Sequence, residues 1–225
     1  MFNGLLLLTG LAFMAEWYAV ASGKNKLRRV TKPAALLALL VWFTQQAAWQ
    51  GVLWWFGMGL VFSLAGDIFL LLPVQLFPAG ALSFLTAHIF YIIGLNQTLP
   101  AFTWQNLLLV AVVAVIAFLF AQKFFRSLQR RHSKRLKALI IVYMLGITTM
   151  LLSALMTPLR PDWPPAAAAW TVSGALLFFI SDSILAWNKF IRPLKRGNLL
   201  VMVMYLLGQL GIVTGALLAY GGIQS

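Results

Sequence analysis

Residues 62–91 read FSLAGDIFLLLPVQLFPAGALSFLTAHIFY, and this stretch decides the fold. It contains two long apolar segments joined by a short turn between Pro73 and Pro78. The first segment carries Asp67 and the second carries His88. Ionisable side chains are costly in hydrocarbon and normally face the interior of a helix bundle, so an aspartate in such a segment indicates a functional site. The stretch therefore predicts a membrane helix bundle built around a buried polar site.

The composition of the chain indicates that lipid is its solvent. Of its 225 residues 62% are hydrophobic and 9% are charged, and the mean hydropathy is +0.90, whereas soluble domains carry about 25% charged residues. The net charge of +13 comes from basic residues in short loops between apolar segments, which argues against nucleic acid as a partner. Because the chain has no cysteine, disulfides, thiolate catalysis and cysteine-ligated metals are excluded.

Eight segments are apolar enough to span a bilayer, which takes about 20 residues of helix. They are too long and too uniformly apolar for the alternating strands of a β-barrel. The sequence therefore predicts an all-α fold, a single membrane domain over residues 1–225 with eight transmembrane helices. The predicted segments are 4–21, 34–50, 52–72, 79–95, 104–121, 137–156, 166–188 and 198–220.

Basic residues predict the orientation of the bundle, because loops rich in Lys and Arg stay in the cytoplasm. All but one of the 17 Lys and Arg residues fall in the first, fifth and seventh loops, and Arg160 is the exception. With eight spans these three loops share one face, which places both termini on the non-cytoplasmic side. The basic loops suit anionic headgroups, and Lys32, directly before Pro33, is placed to reach a bound phosphate.

The pattern small–Asp–x–x–Leu occurs twice, as GDIFL at 66–70 and as SDSIL at 181–185. Asp67 lies in the third segment and Asp182 in the seventh, so each is the third of four. Parallel repeats related by an axis along the membrane normal have this arrangement. We expect the two aspartates to meet in one buried site. The two halves of such a weak internal repeat are residues 1–100 and 101–225.

Three of the four acidic residues lie at one depth. Counted from the predicted cytoplasmic ends of their segments at ~1.5 Å per residue, Asp67, Asp182 and Glu16 lie roughly 9 to 12 Å deep. Other polar side chains at this depth or deeper form a candidate substrate site with them. Each also has a structural interpretation, as a hydrogen-bond partner between helices, and both interpretations stay open at this point. Besides Glu16 and the aspartates, the candidates are Lys32, His88, Tyr91, Tyr143, Ser181, Asn188, Tyr205 and Gln209.

Common catalytic motifs are absent from the sequence. It has no Gly-rich phosphate loop, no G-x-S-x-G elbow and no H-E-x-x-H pair. A metal site has little support, because the apolar segments contain a single histidine. We therefore expect neither a metal nor an organic cofactor.

Several motifs follow one another in a defined order and spacing. They are Lys32-Pro33, Gly66-Asp67-x-x-Leu70, Phe77-x-x-Gly80-x-x-x-Phe84-x-x-x-His88-x-x-Tyr91, Ser181-Asp182-x-x-Leu185-Ala186 and Tyr205-x-x-x-Gln209.

Taken together, these motifs resemble the YhhN-like family of integral membrane lysoplasmalogenases, and the likeness extends over nearly the whole chain. The family has eight helices, in agreement with the topology derived from the basic loops. The resemblance implies hydrolysis of the vinyl ether bond of lysoplasmalogens to a fatty aldehyde and glycerophosphoethanolamine or glycerophosphocholine. It also implies that Asp67 and Asp182 are the catalytic pair. The implied helpers are His88, Tyr91, Tyr205 and Gln209.

The chemistry of vinyl ethers suits a pair of buried carboxyl groups. Protonation of the β-carbon gives an oxocarbenium ion, water attacks it, and the hemiacetal collapses to aldehyde and alcohol. This requires a carboxylic acid that is still protonated near neutral pH and a carboxylate that activates water. Burial and a like-charged neighbour favour the neutral form of one aspartate and leave the other ionised, so the two titrate as a pair. Apolar walls would hold the alkenyl chain.

Two other functions are compatible with the same residues. A proton-coupled transporter would use Asp67, Asp182 and His88 as a relay, although the polar groups do not continue to the outer face as a translocation path requires. A non-catalytic lipid-binding protein is the third interpretation. The short loops favour a bacterial inner-membrane protein whose site opens to the cytoplasmic side, with a lysophospholipid substrate and membrane lipids as its partners.

Overall fold

A computed structural model of the protein describes residues 3–98, 103–128 and 134–221. Within these ranges the chain folds into helices joined by short turns, which confirms the all-α class. Two single 3-10 turns, Val74–Leu76 and Thr157–Leu159, lie at connections between long helices. The long helices are α1 Gly4–Ala21, α2 Asn25–Ala47, α3 Leu53–Leu71, α4 Phe77–Leu95, α5 Trp104–Leu128, α6 Lys134–Leu155, α7 Pro165–Phe190 and α8 Gly197–Tyr220.

All of these helices except α2 and α5 are long and apolar enough to cross a membrane by length and composition. The apolar part of α5 is shorter, over Trp104–Leu119, and α2 begins with basic turns. An all-helical chain with this many apolar helices is a polytopic membrane protein, as predicted. The orientation of the bundle and the 4+4 repeat stay predictions. Arg130 and Arg131 of the fifth loop lie outside the described residues.

The start of α2 differs from the sequence-based boundary. The helix begins at Asn25 rather than at residue 34, and it continues through Pro33. Lys and Arg are good helix formers with long apolar stems, so a basic stretch extends a helix where hydropathy alone ends it. Arg28 and Lys32 therefore project from a helix instead of a loop. This shift places Lys32 inside the bundle.

A left-handed turn separates α2 from α3, close to the predicted break at Gln50-Gly51. Ala48 and Trp49 have positive φ of 47° and 53°, a conformation that is uncommon for non-glycine residues. The Trp49 indole Nε1 donates to Thr44 Oγ1 at 2.9 Å, and its ring covers Gly57, where a Cβ would come within 2.8 Å. These contacts hold the turn in place.

Small residues let α7 and α8 pack with their backbones in contact. A Cβ at Gly174 would lie 2.4 Å from the Ile212 nitrogen, and one at Gly208 would lie 2.8 Å from the Phe178 nitrogen. Membrane helices associate through such close van der Waals packing, since lipid offers no hydrophobic drive between them. Because α8 is pressed against α7 in this way, its polar residues face the centre of the bundle.

Arg160, the basic residue outside the basic loops, closes the opposite end of the bundle. Its Nη1 donates to the carbonyl oxygens of Leu95 and Thr98, and its Nη2 donates to Asn96 Oδ1 at 2.8 Å. The last carbonyls of a helix lack partners within the helix, and a cation there also complements the helix dipole. Arg160 thus caps the C-terminal end of α4.

Candidate active site

Asp67 of α3 sits in a closed polar pocket made by α2 and α8. The Lys32 Nζ lies 3.0 Å from Asp67 Oδ1, and the Tyr205 hydroxyl donates to Oδ2 at 2.9 Å. The aspartate side chain is only 1% exposed. A buried ion pair tolerates its loss of hydration only when hydrogen bonds satisfy the remaining atoms, and Tyr205 supplies one of them. Lys32 is therefore a partner of Asp67, and its predicted contact with a phosphate stays a prediction.

A second set of hydrogen bonds ties α3, α4 and α8 together beside this ion pair. The Tyr91 hydroxyl donates to Gln209 Oε1 at 2.5 Å, and Gln209 Nε2 donates to Ser63 Oγ at 2.8 Å. Ser63 lies one turn from Asp67 on α3, and Gln209 lies one turn from Tyr205 on α8. This chain fixes the helices that carry the first aspartate.

Asp182 of α7 has different surroundings. The Tyr143 hydroxyl of α6 donates to its Oδ2. The His88 Nε2 lies 3.8 Å from the same oxygen, which is longer than a hydrogen bond. Among the described residues neither ring nitrogen of the buried His88 has a hydrogen-bond partner. His88 is thus an unsatisfied polar group directly beside Asp182.

An aromatic layer separates the two aspartates. The Phe178 ring lies 5.4 Å from that of Tyr205 and 5.2 Å from that of His88, between centroids. Phe84 packs edge-on against Tyr205 at 5.8 Å. The His88 and Tyr143 rings meet at 5.2 Å.

A mostly apolar cavity opens against Asp182. Asp182, Tyr143 and Ser183 supply polar groups to its wall. Lys189 also lines it, near the C-terminal end of α7 and over Phe77 at the start of α4. Asp67 is not among the lining residues. Most of the lining is apolar and aromatic, as in sites that hold lipid-like ligands. The apolar and aromatic residues of its walls include Leu70, Phe77, Phe84, Leu139, Ile140, Met144, Ile147, Phe179 and Leu185.

Of the predicted site residues, Asp182 and Tyr143 line this cavity. Three others are bonded elsewhere in the bundle. Ser181 donates from its Oγ to the Val201 carbonyl at 2.9 Å, which joins α7 to α8. Asn188 accepts the Leu194 N–H at 2.9 Å and so caps the turn after α7. Glu16 accepts from Thr31 Oγ1 at 2.6 Å and pairs with Arg28 at 3.3 Å. A role for them in substrate binding stays a prediction.

Sequence reasoning missed the aromatic layer and the position of Lys189. Phe84 was named only as part of a motif and Phe178 was not singled out, and Lys189 was counted with the orientation-setting loop residues. One signal was available, because Lys189 follows Asp182 by seven residues and seven residues are nearly two helical turns. Among the described residues, no three His, Asp or Glu side chains come together as a metal site requires.

The sequence was compared with protein families, with curated proteins and with solved structures. The model of the YhhN family matches residues 27–216. The chain is 32% identical to human lysoplasmalogenase TMEM86B over 160 residues, 70% of this chain and 61% of the human protein. It is 29% identical to mouse lysoplasmalogenase TMEM86B over 184 residues, 81% of this chain and 72% of the mouse protein.

Human lysoplasmalogenase TMEM86A is 31% identical over 173 residues, 71% of this chain and 63% of that protein. The chain thus spans less than two thirds of the length of both human relatives. No solved structure matches it. Because the family model covers most of the chain, from α2 to α8, this protein belongs to the YhhN family.

Proposed function

We propose that this protein hydrolyses the vinyl ether bond of a lysoplasmalogen or a related lysolipid, releasing a fatty aldehyde and a glycerophospho-alcohol. The observation that supports this most strongly is Asp182 on the wall of an apolar cavity, with a second buried aspartate behind one layer of rings. The relatives named lysoplasmalogenase favour the same reaction.

Asp182 acts as the acid of the pair. Among the described residues it has no cation in direct contact. Its neighbours are Tyr143 and the buried His88, and an apolar cavity favours the neutral carboxylic acid. Its proton passes to the β-carbon of the vinyl ether, and the enol ether π electrons form the new C–H bond. The resulting oxocarbenium ion is stabilised by the carboxylate that Asp182 has become.

The same carboxylate then takes a proton from the attacking water. The hemiacetal formed in this way collapses as its hydroxyl proton is transferred to the departing glycerol oxygen. The C–O bond to glycerol breaks, aldehyde and alcohol leave, and Asp182 keeps the proton taken from water for the next turnover. Asp67 is the ionised member of the pair, because Lys32 lies at 3.0 Å and favours its charged form.

Purified protein tests the proposal directly, with 1-alkenyl lysophospholipid as substrate and aldehyde release as readout. Asp182→Asn removes the proton donor and should lower kcat by at least about 100-fold, the lower range for general acid–base catalysis. Asp162→Asn is the matched control, because Asp162 lies near Arg160 at the opposite end of the bundle, where it accepts a hydrogen bond from Thr98 Oγ1. Near-normal turnover by Asp182→Asn would reject the mechanism. Solute uptake into liposomes without aldehyde release would favour the carrier instead.

The proposed orientation puts the cavity mouth at the cytoplasmic face of a bacterial inner membrane. The chain contains no cysteine, so single cysteines report sidedness without a background. Ser22→Cys lies between α1 and α2, and Gln97→Cys lies after α4 at the other end of the bundle. In intact bacterial cells an impermeant maleimide should label Gln97→Cys, and Ser22→Cys should react only after the cells are permeabilised. The reverse labelling would overturn the orientation.

A further inference from the structure

Among the described residues, one cationic side chain lines the cavity beside Asp182. Of the described residues in its wall, only Asp182 and Lys189 carry formal charge, and the rest are apolar or neutral. The Lys189 Nζ lies 4.1 Å from the centroid of the Phe77 ring, so the ammonium group is held over the first residue of α4. In the described part of the chain Lys189 forms no ion pair with a carboxylate.

Asp182 and Lys189 lie on one face of α7. Seven residues correspond to nearly two turns and about 10.5 Å of rise. Both side chains reach the same cavity, so a ligand lying along α7 meets the acid at one end and the cation at the other. The wall between and around them is apolar, with Ala186 and Leu185 on α7 itself.

The spacing matches a particular class of lipid. In a 1-alkenyl glycerophospholipid with a free second hydroxyl, seven bonds separate the vinyl carbon that accepts the proton from the phosphorus. At standard bond lengths this is roughly 9 Å when extended. A phosphate beside Lys189 would therefore place the reacting carbon beside Asp182, whereas a neutral alkenyl glycerol would have no charged group for the lysine to bind.

We propose that Lys189 binds the phosphate of a single-chain glycerophospholipid and that α7 sets the distance from that phosphate to the ether bond. This rests on the proposed function, since the ether is the bond placed at Asp182. Lys189 is then a specificity-determining residue. Lys32, by contrast, is paired with Asp67 at 3.0 Å and does not line this cavity. Arg192, Lys195 and Arg196 in the following turn add only a diffuse attraction.

Binding of a saturated ether lipid separates this proposal from the reaction. A 1-O-alkyl lysophospholipid has no vinyl ether to hydrolyse, so its affinity does not depend on catalysis. The experiment compares its Kd with that of the neutral 1-O-alkyl glycerol of the same chain length, on purified protein in neutral detergent. Wild type should bind the phospholipid at least about 10-fold more tightly, a ratio that corresponds to ~1.4 kcal/mol.

Lys189→Gln should lose this 10-fold preference and keep its affinity for the neutral glycerol ether. Lys189→Arg should retain the preference, because it keeps the positive charge. This variant also shows that the position tolerates substitution. Lys195→Gln, one of the exposed basic residues of the next turn, is the matched control and should behave as wild type.

Three outcomes would overturn the proposal. The first is a full preference retained by Lys189→Gln, the second is a loss in Lys195→Gln as large as that in Lys189→Gln, and the third is competition by inorganic phosphate alone as effective as that of the lipid. The last result would indicate a free-anion site instead of a lipid headgroup site. A protein that shows the preference but releases no aldehyde from the alkenyl lipid would keep the Lys189 site and reject the hydrolase.

Discussion

The two aspartates occupy the same sequence motif but opposite environments. Asp67 is 1% exposed and is held by Lys32 and Tyr205, while Asp182 is 10% exposed, faces a cavity and has Tyr143 as its bonded partner. One carboxyl group is therefore built into the bundle, and the other is available to a ligand. A shared pattern of small residue, aspartate and leucine does not assign a role, because the helices packed against each copy decide it.

The largest stability effect should follow from breaking the ion pair on the closed side. Lys32→Met leaves Asp67 buried without its cation, and such a loss costs about 3–5 kcal/mol. Removing both charges in Lys32→Met/Asp67→Asn should recover much of that loss. Thermal unfolding in detergent measures each variant, and the double-mutant cycle isolates the coupling between the two residues. A loss in the double variant equal to the sum of the two single losses would mean that the pair is not coupled.

The two tyrosines provide the next comparison. Tyr205→Phe removes a hydrogen bond to the carboxylate of Asp67 and should lower stability by about 1.5–3 kcal/mol, the range for bonds to charged groups. Tyr143→Phe removes the partner of Asp182 at the cavity wall, so its main effect should be on kcat for aldehyde release. Unfolding and turnover of both variants test this division. If Tyr143→Phe is the more destabilising of the two, the contrast between a closed and an open aspartate is wrong.

Substitutions of the small residues that precede the aspartates, Gly66 and Ser181, should change the free energy of unfolding by smaller amounts than the substitutions above. A Cβ at Gly66 would lie 2.6 Å from the Phe84 ring, and overpacking of this kind costs about 1–3 kcal/mol. Ser181→Ala loses the bond to the Val201 carbonyl, which is worth about 1 kcal/mol. Thermal unfolding should therefore place Gly66→Ala below Ser181→Ala. Gly10→Ala is the control, since no atom lies within 4 Å of a Cβ there.

Much of this architecture follows from the sequence, because hydropathy and the Pro-bounded turns define the helices. The predicted depth of Asp67 and Tyr205 also agrees with their direct hydrogen bond. The partner of Asp67 was missed for a physical reason. Hydropathy places the start of the second segment at residue 34, after Lys32-Pro33. The helix begins earlier, at Asn25, and its basic first turns bring Lys32 to the inside of the bundle.

Which faces of the helices meet could not be predicted. The sequence indicates the depth of the polar residues on α3, α4, α6, α7 and α8 in the membrane. It does not fix the rotation of each helix about its axis. The close contact of Gly174 and Gly208 across α7 and α8 sets that rotation. The cavity arises in the same way, as space left between α4, α6 and α7, and no local pattern in the sequence specifies such a space.

The ring layer formed by Phe84, Phe178 and Tyr205 has a consequence for the product of the proposed reaction. Fatty aldehydes form imines with free amines, and Lys32 is an amine close to the reaction centre. Behind the rings, and as an ammonium bound to Asp67, it has no lone pair to offer. Lys189 lines the cavity without such cover, so an enzyme inactivated by its own product should carry the aldehyde adduct on Lys189. Borohydride trapping followed by peptide mass spectrometry locates the adduct. An adduct on Lys32 would mean that the rings and Asp67 do not protect it.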